Sequence, residues 1–151
     1  MIGICFGRDV TELLTRVRHS AWQFSEVTLC SPFIGKEEAK LLARLMLAAT
    51  KFGCGVRVIT TEPAATLLRD LLPVEAISAR RRVVVCEGLH AKFYLALARR
   101  PRASEVIVTS ANLTSAGLGI NDELGVRATN DCDDGVRLVN TVANYAQRLA
   151  A

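Results

Sequence analysis

The sequence predicts a single α/β domain in which a mixed β-sheet is sandwiched between helices. Three observations carry that expectation. Stretches with apolar residues at helical spacing alternate along the chain with short apolar runs of strand length. Apolar residues make up 50% and charged residues 23%, the balance of a globule with a sizeable core and not of a disordered or fibrous chain. The 151 residues contain no repeat, low-complexity run or linker, so residues 1–151 read as one domain.

Each element has its own signal. Residues 9–24 place Val10, Leu13, Leu14, Val17, Ala21 and Trp22 at helical spacing, and residues 26–34 then read as a strand ended by Pro32 and Gly35. Residues 36–52 form a second amphipathic helix closing at Gly53, followed by a buried strand over residues 56–61. Glu62-Pro63 opens a short helix through Leu71, and Pro73 stops it. Residues 82–86 and 89–97 read as strands flanking Glu87-Gly88, a pair expected to close a tight hairpin. Residues 105–109 and 124–128 are further strands, with Thr114 or Ser115 capping a short helical turn before Gly117. A final helix over residues 131–150 has Val136, Leu138, Val139, Val142, Ala143, Tyr145, Ala146 and Leu149 on its inner side.

Five cysteines, odd in number and without a Cys-x-x-Cys pair, argue against zinc or a disulfide framework. Cys5, Cys30 and Cys86 lie in or beside apolar runs and read as buried free thiols of a reducing compartment. The first residues lack a charged region followed by a long apolar one, and no stretch approaches membrane-spanning length. A cytoplasmic location without a membrane partner is the expectation.

The chemistry concentrates between Gly88 and Glu123. In an extended chain successive side chains alternate, so His90 and Lys92 share one side while Leu89, Ala91, Phe93 and Leu95 take the other. Ser110 and Asn112, again two apart, close a second strand. A neutral imidazole can attack phosphorus or protonate a leaving oxygen, while an ammonium and an amide N–H hold the non-bridging oxygens. Glu123 is a candidate to accept the second ring N–H of His90. No metal or cofactor is needed. Each residue also has a plain structural reading: a strand-end histidine, a surface lysine, turn formers at Ser110 and Asn112, and an exposed acid at Glu123.

In order, His90-Ala91-Lys92, Ser110-Ala111-Asn112-Leu113-Thr114 and Asn121-Asp122-Glu123 resemble the HxK…SxN…E signature of the phospholipase D superfamily, and Ser31-Pro32-Phe33-Ile34 is similar to the end of its first core strand. Two positions depart from the pattern: Leu97 stands where the full motif has Asp, and Thr109 where Gly usually precedes the Ser. Residues 98–103 read as an insertion. The resemblance implies two HxK motifs per active site, and this chain has one, since His19 is followed by Ser20-Ala21. It therefore implies a half-domain that forms a homodimer, with one His90 attacking to give a phosphohistidine and the other protonating the leaving oxygen. Lys92 and Asn112 would neutralise developing charge, Ser110 would orient the phosphate or Lys92, and Glu123 would orient His90.

The net charge of +4 comes from 15 Arg and 4 Lys against 15 Asp+Glu, a bias toward the planar fork that binds phosphate bidentately. Arg80, Arg81, Arg82, Arg99, Arg100 and Arg102 form two clusters. Arg99 lies roughly 30 Å along the strand from His90, so these clusters are candidates for holding a nucleic-acid backbone or are solvated loops, not reacting groups. Trp22 and Phe24 are expected in the core, leaving few aromatics for stacking bases. The function expected from these readings is a metal-independent phosphodiesterase acting on nucleic acid, DNA foremost. The alternatives are hydrolysis of a lipid or small phosphodiester, and a catalytically weakened nucleic-acid-binding or dimerisation module. A specificity domain or subunit of a larger system is a further candidate partner.

Overall fold

The alternating patterns close into one seven-stranded mixed sheet in the computed structural model, which describes all 151 residues. In chain order the elements are β1 (Ile2–Cys5), α1 (Gly7–Ser20), β2 (Phe24–Cys30), α2 (Lys36–Thr50), β3 (Gly55–Thr60), α3 (Glu62–Leu71), α4 (Ile77–Arg81), β4 (Val83–Val85), β5 (Phe93–Ala98), β6 (Glu105–Thr109), β7 (Gly125–Thr129) and α5 (Asp133–Leu149). A 3₁₀ turn spans Ala21–Gln23 and a π-helical turn Ala116–Ile120. The strand order is β1-β7-β6-β5-β2-β3-β4. Strands β2, β3 and β4 are parallel, and every other pairing is antiparallel.

Two cores arise from the alternation of side chains in strands buried on both faces. Val27 and Leu29 of β2, with Tyr94 and Ala96 of β5, pack against Val10, Leu13 and Val17 of α1, Leu42 and Met46 of α2, and Leu68 of α3. On the other face Phe93 and Leu95 of β5, with Val106 and Ala128, meet Val139, Val142 and Ala146 of α5. The architecture is therefore an α/β sandwich with helices on both sides of a mixed sheet, as the sequence predicts. No helix is long and apolar enough to cross a membrane.

The expected hairpin over residues 82–97 does not form. β4 pairs with β3 in parallel (Val58↔Val83), and β5 lies between β2 and β6, separated from β4 by β2 and β3. Burial explains the difference. Phe93, Tyr94, Leu95 and Ala96 are all buried and need a central slot covered on both faces, whereas the three residues of β4 suit an edge. Gly88 turns the chain at φ +67°, and the segment carrying Leu89 and His90 then passes the ends of β3 and β2 to enter β5. Two elements have no sequence signal: β1, whose residues other than Cys5 are exposed, and the five-residue α4.

Strand direction decides where a ligand can sit. β1, β2, β3, β4 and β6 end, and β5 and β7 begin, at one edge of the sheet. Open α/β sheets place ligands outside the carboxyl ends of their strands.

Candidate active site

Five of the residues singled out in the sequence arrive at that edge by three neighbouring strands. His90 and Lys92 immediately precede β5, Ser110 and Asn112 immediately follow β6, and Glu123 precedes β7. Adjacent strands lie ~4.8 Å apart, so the three segments stand side by side. Direct contacts join them: the Thr109 N–H donates to the Lys92 carbonyl at 3.2 Å, and the Ser110 N–H donates to the Leu124 carbonyl at 3.1 Å.

His90 is exposed, and its imidazole makes no hydrogen bond within the chain. Lys92 is half-buried and its Nζ donates to the His90 carbonyl at 3.0 Å, which pins the turn that carries the imidazole. An ammonium has three donors, so two remain for an anion. The Asn112 Oδ1 lies 3.4 Å from the Ser31 hydroxyl, while its amide nitrogen has no partner in the protein and is free to donate. An imidazole, an ammonium and an amide donor thus face solvent on one edge, a set suited to binding and attacking a phosphate ester.

Glu123 departs from expectation in its partner. Its carboxylate accepts from the Ser110 hydroxyl and, at 3.5 Å, from the Asn121 amide, and it makes no hydrogen bond with His90. Ser110 in turn accepts from the Leu124 N–H at 3.3 Å. The pair therefore locks the end of β6 to the start of β7. The Ser110 hydroxyl is engaged in that lock and not with Lys92.

Two buried neutral donors support the edge from below. The Tyr94 hydroxyl donates to the Ala111 carbonyl at 2.8 Å, between Ser110 and Asn112, and burial pushes its pKa up, so it stays a donor. The Cys30 thiol, pushed up to about 12 by burial, stays protonated and lies 3.6 Å from the Ala91 carbonyl, between His90 and Lys92. Ser31 accepts from the Leu113 N–H at 3.1 Å and donates to the Phe33 carbonyl at 2.7 Å, fastening the end of β2 to the Asn112 segment. Sequence reading missed Tyr94 and Ser31 as parts of the site. The Ser-Pro step at a strand end was the available signal for Ser31, and the even spacing from His90 and Lys92 was the one for Tyr94.

The π-helical turn packs its backbone directly on Asn112. A Cβ added at Gly117 would stand 2.6 Å from the Asn112 carbonyl oxygen and 2.8 Å from its nitrogen, backbone atoms that cannot swing away. Gly117→Ala is expected to cost about 1–3 kcal/mol of stability and to displace the Asn112 amide. Thermal unfolding beside an activity assay checks this: a variant as stable and as active as wild type would show that the turn does not hold Asn112.

Neither arginine cluster joins the edge. Arg80 to Arg82 lie before β4 and Arg99 to Arg102 between β5 and β6, at the opposite edge of the sheet. Arg80 donates to the Arg69 and Leu72 carbonyls at 2.6 and 2.9 Å and so closes the end of α3. Arg99 donates to the Gly53 carbonyl at 2.9 Å. His19 lies in the last turn of α1, exposed and also away from the site, leaving a single imidazole at the edge.

The chain is similar to known proteins both in sequence pattern and in structure. A family model described as "Cardiolipin synthase, PLD-like domain" matches residues 15–150. Nuc from Salmonella typhimurium, described as a phospholipase D family member, is similar in structure with a TM-score of 0.62 and 14% identity over 98% of this chain and 92% of that one. NucT from Helicobacter pylori gives 0.66 and 14% over 99% and 94%. TrmBL2, described as an archaeal chromatin protein with a novel mode of DNA binding, gives 0.59 and 12% over 97% of this chain and 50% of that one. No curated protein matches the chain.

Proposed function

Because the chain belongs to the phospholipase D superfamily, whose domain covers residues 15–150, we propose that it is a metal-independent nuclease, DNA foremost, whose active site is shared by two copies. The observation that carries the reading is the exposed, unpartnered His90 beside the Lys92 ammonium and the free Asn112 amide.

The reaction runs in two displacements. A His90 nitrogen of one copy attacks phosphorus, a P–N bond forms, and the P–O bond to the leaving nucleoside breaks. His90 of the second copy, protonated, gives its proton to the departing oxygen. That imidazole, now neutral, takes a proton from water, whose oxygen attacks phosphorus as the P–N bond breaks and regenerates the first His90. Lys92 and Asn112 hold the non-bridging oxygens, where charge develops. The Ser110–Glu123 lock keeps Asn112 in place and does not handle protons.

Two further observations support the parts. For a second copy, Ile4, Val126 and Val108 lie in register across β1, β7 and β6 and form an apolar row beside the site, with Ile4 74% exposed. An uncovered row of this kind suits burial against another molecule. For a polymeric substrate, neither His90 nor Lys92 lines any of the principal clefts. Small ligands are held in concave sites, whereas an open edge accepts a chain passing across it.

Plasmid incubated with purified protein in excess EDTA is expected to be cut. Failure to cut, or cutting abolished by EDTA and restored by magnesium, would overturn the reading. Hydrolysis of phosphatidylcholine vesicles in place of nucleic acid would move the activity to the lipid branch.

A further inference from the structure

Trp22 lies outside the core where the sequence places it. It is 54% exposed, in the 3₁₀ turn between α1 and β2, and it lines a cleft of about 320 Å³ with Arg16, Arg99 and Arg100. Phe24 is buried as expected and forms part of the cleft wall. The cleft is at the edge of the sheet opposite His90, because β5 carries the chain from one edge to the other before Arg99 begins the turn to β6.

Several features make this more than a solvated loop. Arg99 bridges to the Phe52 and Gly53 carbonyls at 3.3 and 2.9 Å, which fixes its guanidinium and brings the half-exposed Phe52 ring to the same edge. Arg100 and Arg102 have no partner in the protein and stand free in the turn. Two carboxylates come near and both are already paired: Glu105 is buried between Arg16 and Arg127, and Glu26 of β2 is bound to Arg57. The cleft therefore combines an open indole face with the guanidinium groups of Arg99 and Arg100, neither of which is in an ion pair. That combination binds nucleic acid whose bases are unpaired: the ring stacks on a base and the cations take the flanking phosphates. A duplex keeps its bases stacked on each other and offers the indole nothing.

We infer that the Trp22 cleft is a second binding site, taking single-stranded nucleic acid roughly 30 Å from His90. The inference rests on the nucleic-acid reading of the His90 edge and supplies what that edge lacks, a place that holds the strand while His90 acts elsewhere on it. Trp22 is the chain's single tryptophan, so its emission reports on this cleft alone.

The experiment titrates His90→Ala protein, which leaves the strand uncut, with oligothymidylate of about 20 nucleotides and with a duplex of the same length, following tryptophan fluorescence. Saturable quenching by the single strand and none by the duplex is the expected result. In the same background Trp22→Ala, followed by fluorescence anisotropy of a labelled oligonucleotide, raises Kd about tenfold, and Trp22→Phe restores most of the affinity. Arg100→Glu, at an exposed turn position, weakens binding and flattens its salt dependence with no loss of folding. Unchanged emission, or unchanged Kd in Trp22→Ala, overturns the inference even if the wild type cuts DNA. Equal quenching by duplex overturns the single-strand part. Quenching by a protein that cuts nothing leaves the cleft standing and removes the nuclease reading.

Discussion

His90→Ala is expected to lower the rate of phosphodiester cleavage in EDTA by at least about 10⁴-fold while leaving the fold intact. The size follows from the two roles proposed for the residue: in a shared site it would be the nucleophile of one copy and the proton donor of the other, so one substitution would remove both. The intactness reflects its position, since His90 is exposed and its ring holds nothing in place. The same variant must lose the covalent intermediate. Wild type quenched during turnover of an end-labelled oligonucleotide should carry label in a P–N bond, stable to alkali and lost in acid, and His90→Ala should carry none. A variant that keeps more than a few per cent of the activity, or label that survives acid, would place the nucleophile elsewhere. Lys92→Ala is the companion measurement. Its Nζ fixes the turn beneath the imidazole as well as facing substrate, so both binding and turnover should suffer.

How much of this is legible in the sequence differs from residue to residue. The helices from Lys36 and Glu62 begin where the sequence places them, and β6 runs over Glu105–Thr109 as expected, because each is bounded by Gly, Pro or polar residues and has one unambiguous period. The grouping of the candidate residues is readable because short-range spacing puts His90 with Lys92 and Ser110 with Asn112, and the structure brings both pairs to one end of the sheet. Its wiring is not. Whether Glu123 faces His90 or Ser110 depends on β7 lying against β6, a pairing that no local pattern specifies. The hairpin fails for the same reason: Glu87-Gly88 turns the chain, but which strand receives β5 is settled by burial on both faces of the sheet. Trp22 shows the limit of periodicity. It continues the apolar spacing of α1, yet the helix ends at Ser20, and the 3₁₀ turn after it rotates the indole off the buried face.

The number of imidazoles at the edge decides whether one copy can work alone. A displacement at phosphorus needs an attacking group and a proton for the departing oxygen, and at neutral pH an alkoxide leaves poorly without one. This chain brings a single histidine to the site, and the Ser110–Glu123 pair is already engaged within the protein. Activity should therefore require two copies, and a copy without His90 should poison its partner. Mixing wild type with a tenfold excess of His90→Ala, allowed to exchange, leaves each wild-type chain with a wild-type partner about one time in eleven by mass action. The rate per wild-type chain should fall by about that factor, and on dilution of wild type alone the specific activity should fall as pairs separate. Sedimentation at the assay concentrations checks that pairs are what is lost. Activity proportional to wild-type chain at every mixing ratio would mean that one imidazole both attacks and is served by another acid. The shared site would then be wrong while His90 remained the nucleophile.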